Sequence, residues 1–284
     1  MAFLAALFTK GESSTVHHIR DLDTSEFAQF TKDHEDFLRM LERYSLLHIV
    51  DQNFNQIESF VKSVERPAGF NPSHVVTELN NRFMNYLSAG YALREHLGTW
   101  LKRDFPRDSE HVVRYPQVLT FMEKTSFEYA FVQDLRNFVQ HCGFPIGVAS
   151  LNQDIGGTTL RIGYYRDALL SLYKDWKKSH LCARTEKDFD LLNIVREAHN
   201  VTTKHFSGII YLAYCRDLPA IDSRFTGFQK EAADIYPTAV ARIVLSVRPS
   251  REGGKLSEDG GTVTWQDVPR DSFRLLGLRR STFR

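Results

Sequence analysis

With 284 residues, 42% hydrophobic and 25% charged, the chain has the composition of a globular protein, with room for one large domain or one domain plus an appendage. A formal net charge of +1 sets up no global field toward nucleic acid or an anionic membrane, so any basic surface is local. Cys142, Cys182 and Cys215 are odd in number, far apart and outside any C-x-x-C or zinc-type spacing, which predicts reduced thiols, a cytoplasmic setting and no metal or cofactor.

The opening run from Met1 to Phe8 is apolar, lacks a basic leader and is too short for a bilayer. It reads as an N-terminal arm over 1–20, or a short strand packed on the body or on a second subunit. Thr24 is placed to cap a first helix, in which Phe27, Phe30, Phe37, Leu38, Leu41, Tyr44 and Leu47 recur at helical spacing. That helix runs to about Val64, with a candidate break at Asp51-Gln52-Asn53. Asn71-Pro72-Ser73 starts a second, whose stripe of Val76, Leu79, Phe83, Tyr86, Leu87, Leu93, Leu97 and Leu101 reaches Phe105. A short helical piece over 109–115 precedes Pro116, and a third long helix follows between 118 and 142.

Beyond Gly143 the apolar period changes to two on either side of Asn152 to Gly157, a hairpin signal over about 146–166. Helix returns over 166–178, over 188–215 and from 225 to about 235. The stretch 238–247 is apolar and fits either a helix or a buried strand. From Pro249 a Ser-, Glu- and Gly-rich run reads as a mobile linker. It leads to a tail with Arg270, Arg274, Arg279, Arg280 and Arg284 against one acid, Asp271, suited either to an RNA backbone or to docking on protein. No repeat, heptad run or transmembrane span is found, so no membrane partner is expected. The predicted fold is mainly α: a helical bundle over 21–247 with a β-hairpin inserted after its third long helix, then a linker and Arg-rich tail over 248–284.

Phosphate-loop, dinucleotide-fold, nucleophile-elbow and zinc-protease motifs are all absent, and Gly156-Gly157 alone is a turn. The strongest constellation lies at the end of the third long helix. There Phe127, Phe131, Leu135, Phe138, Val139 and Cys142 share one face, while Arg136, Asn137, Gln140 and His141 fall between about 100° and 240° around from Leu135. Glu128 lands on the apolar side without an evident reason.

Leu135-Arg136-Asn137-Phe138-Val139-Gln140-His141, followed by Gly143-Phe144-Pro145, resembles the HEPN family, whose pattern is an arginine and a histidine four to six residues apart. The match covers about ten residues, with helical context over 21–215. The resemblance implies a HEPN-like bundle and a metal-independent endoribonuclease acting as a homodimer, with the two motif helices facing each other across one cleft. It further implies RNA as substrate, Arg136, Asn137 and His141 as catalytic residues, a role as a toxin or defence effector, and control by an antitoxin or other regulatory protein. The alternatives are a catalytically silent HEPN-like dimer that binds a nucleotide or protein, and a phosphotransferase substrate or adaptor. Arg43 and His48 repeat the spacing within the first helix with no other credential, and read as structural. His17, His18, Glu95 and His96 read as surface or locally satisfied groups. His199 and His205, on a later helix, could reach the cleft but carry no further signal that makes them site residues.

Overall fold

The computed structural model describes residues 2–10, 13–64, 71–144, 146–154, 157–236, 240–252 and 255–269. Two strands, β1 (Phe3–Lys10) and β2 (Ser13–Asp21), lead into the helices α1 (Thr24–Val64), α2 (Pro72–Asp104), α3 (Glu110–Thr125) and α4 (Phe127–His141). Then come β3 (Val148–Asp154), β4 (Gly157–Tyr165), α5 (Arg166–Leu172), a 3-10 turn (Leu181–Ala183) and β5 (Asp188–Asp190). The helices α6 (Leu191–Tyr214) and α7 (Leu218–Ile235) precede β6 (Val240–Glu252) and β7 (Lys255–Asp267). Helix is the main secondary structure, and the chain divides into two compact units, 1–42 with 214–284, and 43–213. No helix among the described residues is long and apolar enough to cross a membrane.

In the first unit an antiparallel sheet runs in the order β2-β1-β6-β7. The N-terminal segment, which reads as an arm or a short packed strand, is an inner strand, with Leu4, Ala5 and Ala6 buried. Its unbroken apolar run suits a strand covered on both faces. Asp23, and not Thr24, caps α1: its carboxylate accepts the Glu26 N–H at 2.8 Å, an interaction that also holds the carboxyl below its ordinary range. Phe30 and Phe37 of α1 meet Phe225 of α7 edge-on at 6.0 Å, and Arg20 joins Glu26 at 2.6 Å and Glu231 at 2.7 Å. The stretch from Pro249 read as a linker belongs to β6 and β7, which pair at Arg242↔Asp267 and Pro249↔Gly261. Two register shifts interrupt that ladder, and a broken period of two is what a glycine-rich sequence hides. The arginines of the tail lie outside the described residues.

In the second unit α1 continues unbroken through Asp51-Gln52-Asn53, and the Asn53 amide donates to Ile49 O at 2.8 Å. The third long helix is in fact two. Pro116 sits exposed inside α3, and the break comes at Ser126, whose hydroxyl caps the first turn of α4 by accepting the Tyr129 N–H at 3.1 Å. Glu128 accepts from this serine's hydroxyl at 3.1 Å, and an acid in the first turn complements the positive end of the helix dipole. Strands β3, β4 and β5 form a second antiparallel sheet in that order, with Leu151 opposite Leu160. The helix expected over 166–178 stops at Leu172, and Trp176 beyond it is buried against Phe131 at 5.3 Å. Residues 188–190 pair with β4 instead of opening α6, whose first turn is capped by Asp190 through Leu192 N–H at 3.0 Å.

Candidate functional site

Helix α4 is buried on more than one side: Tyr129, Ala130, Phe131, Val132, Asp134, Leu135 and Phe138 are all inaccessible. Each large apolar side chain so buried contributes about 1.5–3 kcal/mol, which fixes the helix firmly enough to aim its remaining residues. Asp134 is 1% exposed and accepts both the Ser179 N–H and the Ser179 hydroxyl at 2.8 Å, while burial raises its carboxyl above the ordinary range. It ties the loop after α5 to α4. Sequence reading passed over it, because a partner 45 positions away leaves no local signal; an acid beside an apolar stripe is the one hint.

What remains accessible on α4 is polar toward its end. Arg136 and Asn137 are half-buried, and Gln140 and His141 are exposed. Arg136 Nη1 donates to Asn137 Oδ1 at 3.2 Å, and its guanidinium lies 3.6 Å from the centre of the Tyr91 ring on α2. Beside it a crevice lined by Gly90, Tyr91 and Gln133 holds about 10 Å³, room for one water at most. Tyr129, which also lines the crevice, has its hydroxyl pushed up to about 12 by burial. His141 ends the helix, and among the described residues it has no hydrogen bond, ion pair or ring contact.

The helix is regular through His141, with Cys142 N–H donating to Phe138 O at 2.8 Å, so Arg136 and His141 point about 140° apart. The structure brings Arg136 and Asn137 together and leaves His141 apart from both. Gly143 is not a left-handed cap; a Cβ there would meet Phe138 Cζ at 3.1 Å, so glycine permits the chain to pass close over the ring. Past it, Ile146 N–H donates to the buried Asn80 Oδ1 at 3.0 Å, anchoring the segment to α2.

The arginine of the second arginine–histidine pair has a structural task. Arg43 is 1% exposed, bonds Asp104 at 2.9 Å and stacks 4.0 Å from the Trp100 ring centre. His17 stacks on Tyr236, His18 bonds Asp21 at 3.0 Å, His96 meets Trp100 edge-on and His205 meets Phe121. Glu95 is exposed. Among the described residues no group of three or more His, Cys, Asp or Glu side chains is arranged to hold a metal ion.

His199 is buried flat on Phe54, with ring centres 3.9 Å apart and Nε2 3.4 Å from Asp51 Oδ1. Burial lowers its imidazole from 6.5 to about 4 and raises the Asp51 carboxyl. The unfolded chain therefore binds this proton more readily between those two values, and stability is lost as pH falls through that window. The loss expected from His199 is about 2 kcal/mol between pH 7 and pH 5, reduced by whatever pairing the imidazolium gains with Asp51. Denaturant unfolding at both pH values checks it: His199→Gln loses less stability than the parent chain, and equal losses contradict the assignment.

No protein-family model, curated protein or solved structure matches the chain.

Proposed function

We propose that the chain is a metal-independent endoribonuclease of HEPN type, built on a HEPN-like helical arrangement and working as a homodimer that cleaves RNA. The observation that carries this reading is the end of α4, where a helix otherwise locked in the core leaves Arg136, Asn137, Gln140 and His141 accessible. In this mechanism His141 takes the proton of a ribose 2′-hydroxyl, the 2′-oxygen attacks phosphorus, and the P–O5′ bond breaks as the imidazolium so formed returns that proton to the leaving 5′-oxygen. Arg136 hydrogen-bonds the phosphorane oxygens as negative charge develops, and Asn137 orients the guanidinium it already touches. Because the two side chains diverge around one unbroken helix, Arg136 of one protomer and His141 of its partner make the site. A toxin or defence role under a regulatory protein comes with the family resemblance.

The second reading, a catalytically silent dimer that binds nucleotide or protein, is favoured by the stacking of Arg136 on Tyr91, which occupies the guanidinium within its own chain. Incubation with tRNA and mixed RNA in EDTA separates the two. Products ending in 2′,3′-cyclic phosphate are the result expected of the enzyme; intact RNA together with tight self-association is the result expected of the silent module.

A further inference from the structure

A cleft of about 510 Å³ opens where the α3–α4 junction faces the loop over 177–184. Lys124, Lys177, Lys178 and Arg184 line it against one acid, Glu123, and that acid is already engaged, accepting from Arg94 at 2.9 Å and from Lys178 at 2.8 Å. Arg184 lies with its guanidinium 3.9 Å from the Phe127 ring centre, which presents its edge donors in a fixed plane. The acids outside the lining, Asp175 on Lys177 at 3.1 Å and Glu186 on Arg184 at 3.3 Å, make exposed pairs of the kind that contributes little and exchanges readily for a better anion.

The wall that carries these cations is built and held. His180 sits in the left-handed region, φ 49° and ψ 42°, the one non-glycine residue at positive φ among the described residues. That conformation is strained for a residue with a side chain and persists only where the surroundings enforce it. Its neighbour Ser179 is pinned through two hydrogen bonds to buried Asp134. The turn thereby places Lys177, Lys178 and His180 at the cleft.

We propose that this cleft binds the phosphate groups of an oligophosphate ligand, either a free polyphosphate such as a nucleoside triphosphate or the backbone of an RNA strand. Several cations around one compact space exceed what a single carboxylate needs, and a rigid guanidinium with mobile ammonium groups is the donor set that phosphate oxygens take. The proposal stands apart from the roles given to Arg136 and His141, because its readout is binding and not cleavage.

The test is titration of the full chain with inorganic triphosphate and with a ten-residue oligodeoxyuridylate, which lacks the 2′-hydroxyl and cannot be cleaved by its attack. At least one probe is expected to bind, and the Lys124→Ala/Lys177→Ala double variant, altered only at exposed positions, to bind it about tenfold or more weakly. Arg184→Lys, which keeps the charge and loses the planar donors, is expected to fall between the two. Triphosphate binding at least as tight as the oligonucleotide assigns a free polyphosphate, whereas tighter oligonucleotide binding with a steep salt dependence assigns a backbone. The proposal is overturned if neither probe binds at millimolar concentration, or if the double variant, folded by circular dichroism, binds as the parent does.

Discussion

His141→Ala is expected to lower RNA cleavage by about a hundredfold to ten-thousandfold, the range over which a positioned acid–base group contributes. The side chain is exposed at the last turn of α4 and makes no hydrogen bond, ion pair or ring contact among the described residues, so the thermal midpoint should stay within about a degree of the parent's, as surface changes away from special features usually allow. Arg136→Ala should cost about a hundredfold to a thousandfold, as expected for loss of one preorganised donor to a developing oxyanion. Arg136→Lys should recover only part of that loss, since it keeps the charge but not the planar fork or the stack on Tyr91. Cleavage unchanged in both alanine variants would remove the site from α4, whatever else the chain does.

Arg43→Ala should destabilise the chain by about 3–5 kcal/mol, the cost of breaking a buried ion pair from one side. Two losses combine: a large side chain that is 1% exposed leaves a void under Trp100, and Asp104 loses a charge-assisted partner at 2.9 Å. Asp104 keeps Arg103 at 2.9 Å, which limits the penalty at that end. Against a typical total of about 5–15 kcal/mol this is a large fraction, readable as a lowered denaturant midpoint. Arg43→Met, which refills the volume, should recover part of the loss, and a neutral Arg43→Ala would contradict the structural role. The contrast with Arg136 is instructive. Two arginines with the same spacing to a histidine divide into one sealed between α1 and α2 and one at the accessible end of α4.

The apolar stripe of α4 was legible because Phe131, Leu135 and Phe138 follow the helical period, and all three are buried. The same period ran through Ser126 without a change of phase, so the break that separates α3 from α4 was hidden, although a serine that caps the following turn is its one local mark. Helical content in the middle of the chain was similarly open to sequence reading; β1 and the start of β6 were legible only as one of two alternatives, and β7 was hidden in a stretch that reads as a linker. Their partners lie more than 200 residues apart in sequence for β1 and β6, and register shifts blur the alternation of β6 with β7. At the site, the helical wheel placed Arg136 and His141 well apart, as the unbroken helix does. It could not show that Arg136 rests on Tyr91 or that Asp134 is held by Ser179, since both depend on residues brought in by other segments.

A composite site makes a demand that no site within one chain shares. Mixing Arg136→Ala with His141→Ala, after denaturation and joint refolding so that protomers exchange, should restore about a quarter of the parent's cleavage, because half the dimers are mixed and each of those carries one intact pairing of Arg136 with His141. Recovery of cleavage in the mixture, with neither variant active alone, is the predicted result. A mixture as inactive as its two components, with mixed dimers demonstrated by mass, would contradict the shared site.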